Sequence, residues 1–83
     1  MEDFSEVIAK HGGNVYSFVN KACCELEERG YEPTIVLLTK TDYKWFDIYA
    51  KFLYGENADI TAFEGVFGVE IHRIKHLEKS VVY

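Results

Sequence analysis

Residues 33–54 read PTIVLLTKTDYKWFDIYAKFLY, and a change of period inside this stretch decides the fold. A proline leads into a short apolar run, 34–38, rich in β-branched residues. Such a run suits a strand buried on both faces. Thr39, Lys40 and Thr41 interrupt it. Trp45, Ile48, Tyr49, Phe52 and Leu53 then recur at helical spacing. The reading is a buried strand over 34–39, a tight turn and an amphipathic helix. Thr41 caps that helix, Asp42 faces its dipole and Gly55 ends it. Its apolar positions exceed one stripe. One face therefore meets the sheet, and Tyr43, Phe46 or Tyr54 is left for a partner or for solvent.

Upstream, Val15, Phe18, Val19, Ala22, Cys23 and Leu26 form a full core-facing stripe. The helix is read over 14–29, with Asn14 as its cap. Gly30 suits the left-handed position after it, Leu26 and Tyr31 close the end, and Pro33 prevents continuation. Before it, Phe4, Val7 and Ile8 share a face, which predicts a short separate helix over 1–11. Gly12 and Gly13 read as a break, since each costs about 1 kcal/mol in a helix relative to Ala. They do not read as a phosphate-cradling loop, because no strand precedes them and no GK[ST] follows.

Downstream, 56–59 is a polar loop and 60–63 a short extended piece. Phe67, Val69 and Ile71 alternate with Gly68, Glu70 and His72, which predicts a half-buried strand over 67–74. A turn over 75–79 leads to a terminal strand over 80–83, read as its hairpin partner. The strand–helix–strand step from 34 to 74 fits a right-handed crossover. The fold class is α/β (α+β): one small domain with a mixed three- to four-stranded sheet, two main helices and a short N-terminal one.

The chain has 83 residues, of which 48% are hydrophobic and 16% aromatic. A domain this short buries only about 60–65% of its unfolded surface, so thirteen aromatic rings are hard to hide. Excess aromatic surface marks partner contacts. An apolar strand at a sheet edge points the same way. The expected contact residues are Trp45, Phe46, Tyr49 and Tyr54 on the helix, with Val81, Val82 and Tyr83 at the end. Net charge is −5, with no basic stripe for nucleic acid. No apolar run reaches membrane-spanning length and no secretory signal opens the chain, so a cytoplasmic protein is expected.

Catalytic and metal-binding patterns are thin. His72 and His76 stand four apart, but on a strand and in a turn, with no further ligand at suitable spacing. Cys23 and Cys24 are adjacent and cannot staple distant segments; Cys23 falls on the core stripe and reads as a small hydrophobe. No oxyanion loop accompanies Cys and His. Glu25, Glu27 and Glu28 read as a solvated face. Glu70 with His72 is the one acid–imidazole pair on a strand face. No cofactor is expected.

The order of these elements resembles the axial domain of the tailed-phage major capsid fold, the Hong Kong-phage type. The matching residues are 34–39, Asp42–Tyr43, Trp45–Phe46 and the GVFGVEI run of 65–71, spread over residues 14–83. Encapsulins share that fold, and the layout is similar to archaeal proteins that look like the isolated axial domain. The resemblance implies a non-enzymatic structural subunit that self-assembles into a ring or shell-like compartment, with an enzyme cargo as its partner. The alternative is a small dimeric binding or adaptor module that offers its sheet edge to a peptide.

Overall fold

The computed structural model describes residues 4–83. Its elements are α1 (Phe4–Glu28), β1 (Ile35–Leu38), α2 (Lys40–Tyr54), α3 (Thr61–Phe67), β2 (Glu70–Arg73) and β3 (Val81–Val82). The result is a single α+β layer pair: a three-stranded mixed sheet with helices packed on it.

α1 is one helix, not two. The expected break at Gly12 and Gly13 is absent, and Asn14 lies mid-helix rather than at a cap. Residues 1–3 of the expected first helix lie outside the described residues. The buried stripe of α1 is Ile8, Gly12, Val15, Val19 and Cys23, and Gly12 is a working member of it. A Cβ at Gly12 would stand 2.4 Å from the Cβ of Tyr49 on α2. The glycine therefore lets two helices approach where any side chain would hold them apart. The local cost of two glycines, about 2 kcal/mol in propensity, is offset by that tertiary contact. The other end of α1 closes as read. The Tyr31 N–H donates to the Leu26 carbonyl at 2.9 Å and the Gly30 N–H to that of Glu27 at 3.0 Å, with Gly30 at φ 86°.

The N-cap of α2 is Thr39, two residues before the expected Thr41. Its Oγ1 accepts from the Asp42 N–H at 3.1 Å. Ser80 reinforces this corner: its hydroxyl accepts from the Thr39 N–H at 3.0 Å and donates to Asp42 Oδ2 at 2.6 Å. The 60–63 segment is not extended. It opens α3, which Gly68 ends in the left-handed conformation at φ 67°. Phe67 consequently belongs to a helix, and β2 begins only at Glu70. Asp47 ties the connection down, its Oδ1 accepting from the Ile60 N–H at 3.0 Å.

β1 is the central strand. It pairs in parallel with β2 and antiparallel with β3, giving the order β2-β1-β3. The expected hairpin between β2 and β3 is therefore corrected: the terminal strand takes the other edge of β1. The core lies on one side of the sheet. Val36, Leu38 and Ile71 meet Val15, Val19 and Cys23 of α1, Phe46 and Ala50 of α2, and Phe63 of α3. At its centre Phe46 stacks on Phe63, with centroids 4.1 Å apart and planes within 6°. Tyr16 closes the aromatic group edge-on to Phe63 at 5.6 Å and tilted against Phe67 at 5.2 Å. Such pairs add about 0.5–1.5 kcal/mol each beyond area burial.

Candidate functional site

Strand alternation assigns the two faces of the sheet. Val36, Leu38, Ile71 and Val82 point to the helices, so their neighbours point away. The register places Ile35 beside Glu70, and Leu37 between His72 and Val81. Tyr83 lies opposite Ile35, donating its N–H to the Ile35 carbonyl at 2.8 Å. The far face thus carries an apolar strip of Ile35, Leu37, Val81 and Tyr83, bordered by Glu70 and His72. The buried stripes of all three helices meet the opposite face. Ile35, Leu37 and Val81 are half-buried, while Tyr83 is 62% exposed.

Further exposed apolar side chains lie in the helical layer. Phe52, Leu53 and Tyr54 occupy the last turn of α2, and Val66 lies on α3. All are exposed, Tyr54 at 55%. Tyr49 stacks towards Phe52 at 6.2 Å and Tyr54 stands edge-on to Phe63 at 6.0 Å, so these two rings continue outward from the aromatic core.

The two free sheet edges differ. Ile71 presents its N–H outward from β2, and Glu64 of α3 accepts it at 2.8 Å through Oε2. A charged side chain thus occupies that edge. On β3 the Ile35–Tyr83 pair exchanges hydrogen bonds. The alternation of an antiparallel ladder then turns the N–H and C=O of Val82 to the open edge.

The expected contact residues separate into distinct environments. Phe46 is 0% exposed and belongs wholly to the core, so it leaves the candidate surface. Trp45 is half-buried, stacked on His11 of α1 at 4.6 Å, and Tyr49 is half-buried against Gly12. Val82 is half-buried on the core side. Tyr54, Val81 and Tyr83 reach the two surfaces. The reading of 60–74 without a helix missed Val66 and the Glu64 cap. The continuous apolar run of 35–38 predicts burial on both faces, and this is corrected: Val36 and Leu38 are buried against the helices, while Ile35 and Leu37 are only half-buried on the far face.

The titratable candidates are dispersed. Glu70 Oε2 and His72 Nε2 stand 3.9 Å apart and both are well exposed. Cys23 is buried and Cys24 exposed. Burial pushes the Cys23 thiol above its ordinary pKa, with smaller contributions from Glu27 and Cys24. The Asp59 carboxyl is held below its ordinary pKa by the Thr61 hydroxyl and then the Thr61 N–H. Among the described residues no three His, Cys, Asp or Glu side chains converge as a metal site. No helix among them is long and apolar enough to cross a membrane.

Comparison with protein-family models, curated proteins and solved structures finds no significant match to this chain.

Proposed function

We propose that this chain is a non-enzymatic structural subunit that assembles with copies of itself. The observation that carries the reading is the far face of the sheet, opposite the helices among the described residues, where half-buried Ile35, Leu37 and Val81 and exposed Tyr83 form one apolar strip. Further exposed apolar side chains, Phe52, Leu53 and Tyr54 at the end of α2 and Val66 on α3, stand in the helical layer on the other side of the sheet. Two different surfaces are what a head-to-tail contact uses, and head-to-tail contacts that close generate rings. The ring or shell-like compartment implied by the capsid axial-domain resemblance is the assembly this arrangement supports. The net charge of −5 opposes association at low salt and is screened as salt rises.

Absolute mass by light scattering, over a range of concentration and salt, tests the reading. The expected result is a species several times the 9.6 kDa chain, growing with salt. Tyr83→Glu or Phe52→Glu should weaken it by about tenfold or more, as loss of an aromatic anchor does. A clean monomer at high concentration and high salt refutes it.

The open Val82 edge favours a second reading, a dimeric adaptor that adds a partner peptide as a strand. Val82→Pro separates the two. It removes the outward N–H that strand addition needs and leaves the far-face strip in place, and a melting curve reads the separate cost of losing the Val82 side chain from the core side.

A further inference from the structure

The chain carries a net charge of −5, yet four of its nine Lys and Arg residues gather at one end of the sheet. Lys40 and Lys44 lie at the start of α2, Arg73 ends β2 and Lys75 follows it. Lys40, Arg73 and Lys75 line a cleft of about 290 Å³. A second cleft of about 270 Å³ shares Lys40 and Arg73 and adds Tyr43, Lys44, Asp47 and Ile48. Among the described residues none of these four cations has a carboxylate partner. Asp47 is already engaged: Oδ2 meets Lys51 at 3.3 Å and Oδ1 accepts from the Ile60 N–H. Asp42 accepts from the Ser80 hydroxyl.

Folding alone gives no reason for this arrangement. Lys40 and Lys44 are like charges one turn apart, and Lys40 stands in the first turn of α2, at the positive end of its dipole. Arg73 sits over the Tyr43 ring, its guanidinium carbon 6.0 Å from the centroid, which holds the planar fork in place. The clefts also lie outside the carboxyl ends of the parallel strands β1 and β2, where such sheets hold ligands. A ligand that neutralises several cations at once repays the repulsion. A single carboxylate answers one charge, whereas a phosphate monoester brings nearly two and matches an arginine fork.

We propose that the Lys40–Arg73–Lys75 cleft binds the phosphate group of a small soluble molecule, with Lys44 at its margin. The net negative charge of the chain disfavours an anionic bilayer as the source of that phosphate.

Amide NMR titration with inorganic phosphate and pyrophosphate, at constant ionic strength set by chloride, tests the assignment. Saturable shifts should centre on residues 40–44 and 73–75, with pyrophosphate binding more tightly. Lys40→Gln and Lys75→Gln should each weaken pyrophosphate binding by about tenfold or more, the loss of one charge-assisted contact. Lys21→Gln on α1 should leave it unchanged. Without ligand, Lys40→Gln should melt no lower than the parent, because a like charge is removed. A lower melting temperature would show that the cluster belongs to the fold, and overturns the proposal. So do shifts that only track ionic strength, an equal loss in Lys21→Gln, or binding confined to phosphatidic acid vesicles or to an acidic peptide.

Discussion

Gly12→Ala should destabilise the protein, although Gly→Ala inside a helix ordinarily stabilises it. The added Cβ would lie 2.4, 2.6 and 2.7 Å from Cβ, Cγ and Cδ1 of Tyr49. Those atoms sit next to the α2 backbone, so no rotamer change clears the clash and the helices must part. Overpacking of this kind costs about 1–3 kcal/mol, sometimes more. Restored helix propensity returns about 1 kcal/mol. At the upper end of that cost the net loss is about 2 kcal/mol, which lowers the melting temperature of a domain this size by about 8–16 °C. Gly13→Ala is the internal control. Its nearest neighbour is the Tyr49 hydroxyl at 4.0 Å, so it should gain up to about 1 kcal/mol. Thermal unfolding followed by circular dichroism reads both, and Trp45 fluorescence reports on the α1–α2 contact through its stacking on His11. If both variants stabilise, the glycine contact is not what holds the helices together and the reasoning fails.

Phe46→Ala should cost about 3–5 kcal/mol in urea unfolding, because it empties the stacked centre of the core. Unchanged stability would remove Phe46 from that role. Glu64→Ala should lose about 1–3 kcal/mol by stripping the Ile71 N–H of its acceptor. It should also raise concentration-dependent scattering as the β2 edge opens. Alkylation followed by mass spectrometry should modify exposed Cys24 before buried Cys23. The raised Cys23 pKa keeps its contribution intact below the ordinary value of 9.0, and stability should fall as pH rises through the higher folded value. Equal labelling rates would contradict that burial.

Local chemistry was legible where a few neighbouring residues decide the outcome. The stripe from Val15 to Leu26, the Gly30 stop and the change of period at Thr39 each rest on adjacent side chains, and each appears in the fold. Gly12 and Gly13 misled because their local preference is opposed by Tyr49, far away in sequence. α3 was hidden for a different reason. It spans seven residues, has no side-chain cap at Ile60 and carries Gly65 inside it. The alternation of Phe67, Val69 and Ile71 then read as strand, although Gly68 ends a helix between them. Pairing of the last strand was equally illegible. Ser80–Tyr83 can meet either strand, and the choice depends on which edge of β1 the crossover leaves free. Neither the apolar strip nor the basic cleft was legible: the unbroken apolar run of β1 reads as buried on both faces, and which face the helices leave open is decided by tertiary packing. Lys40 and Arg73 are separated by the whole crossover and meet only because β1 and β2 run parallel.

The Ser80 hydroxyl has a consequence for cooperativity. It bridges residues 41 and 38 positions away, so one small group closes a long loop between the β3 segment and the start of α2. Release of β3 cannot stay local. It frees the Thr39 N–H and the Asp42 carboxylate together, and so loosens the corner from which α2 begins. Strand end and helix start therefore form one opening unit. In native-state hydrogen exchange the Thr39 and Tyr83 amides should share one opening free energy, and Ser80→Ala should uncouple them.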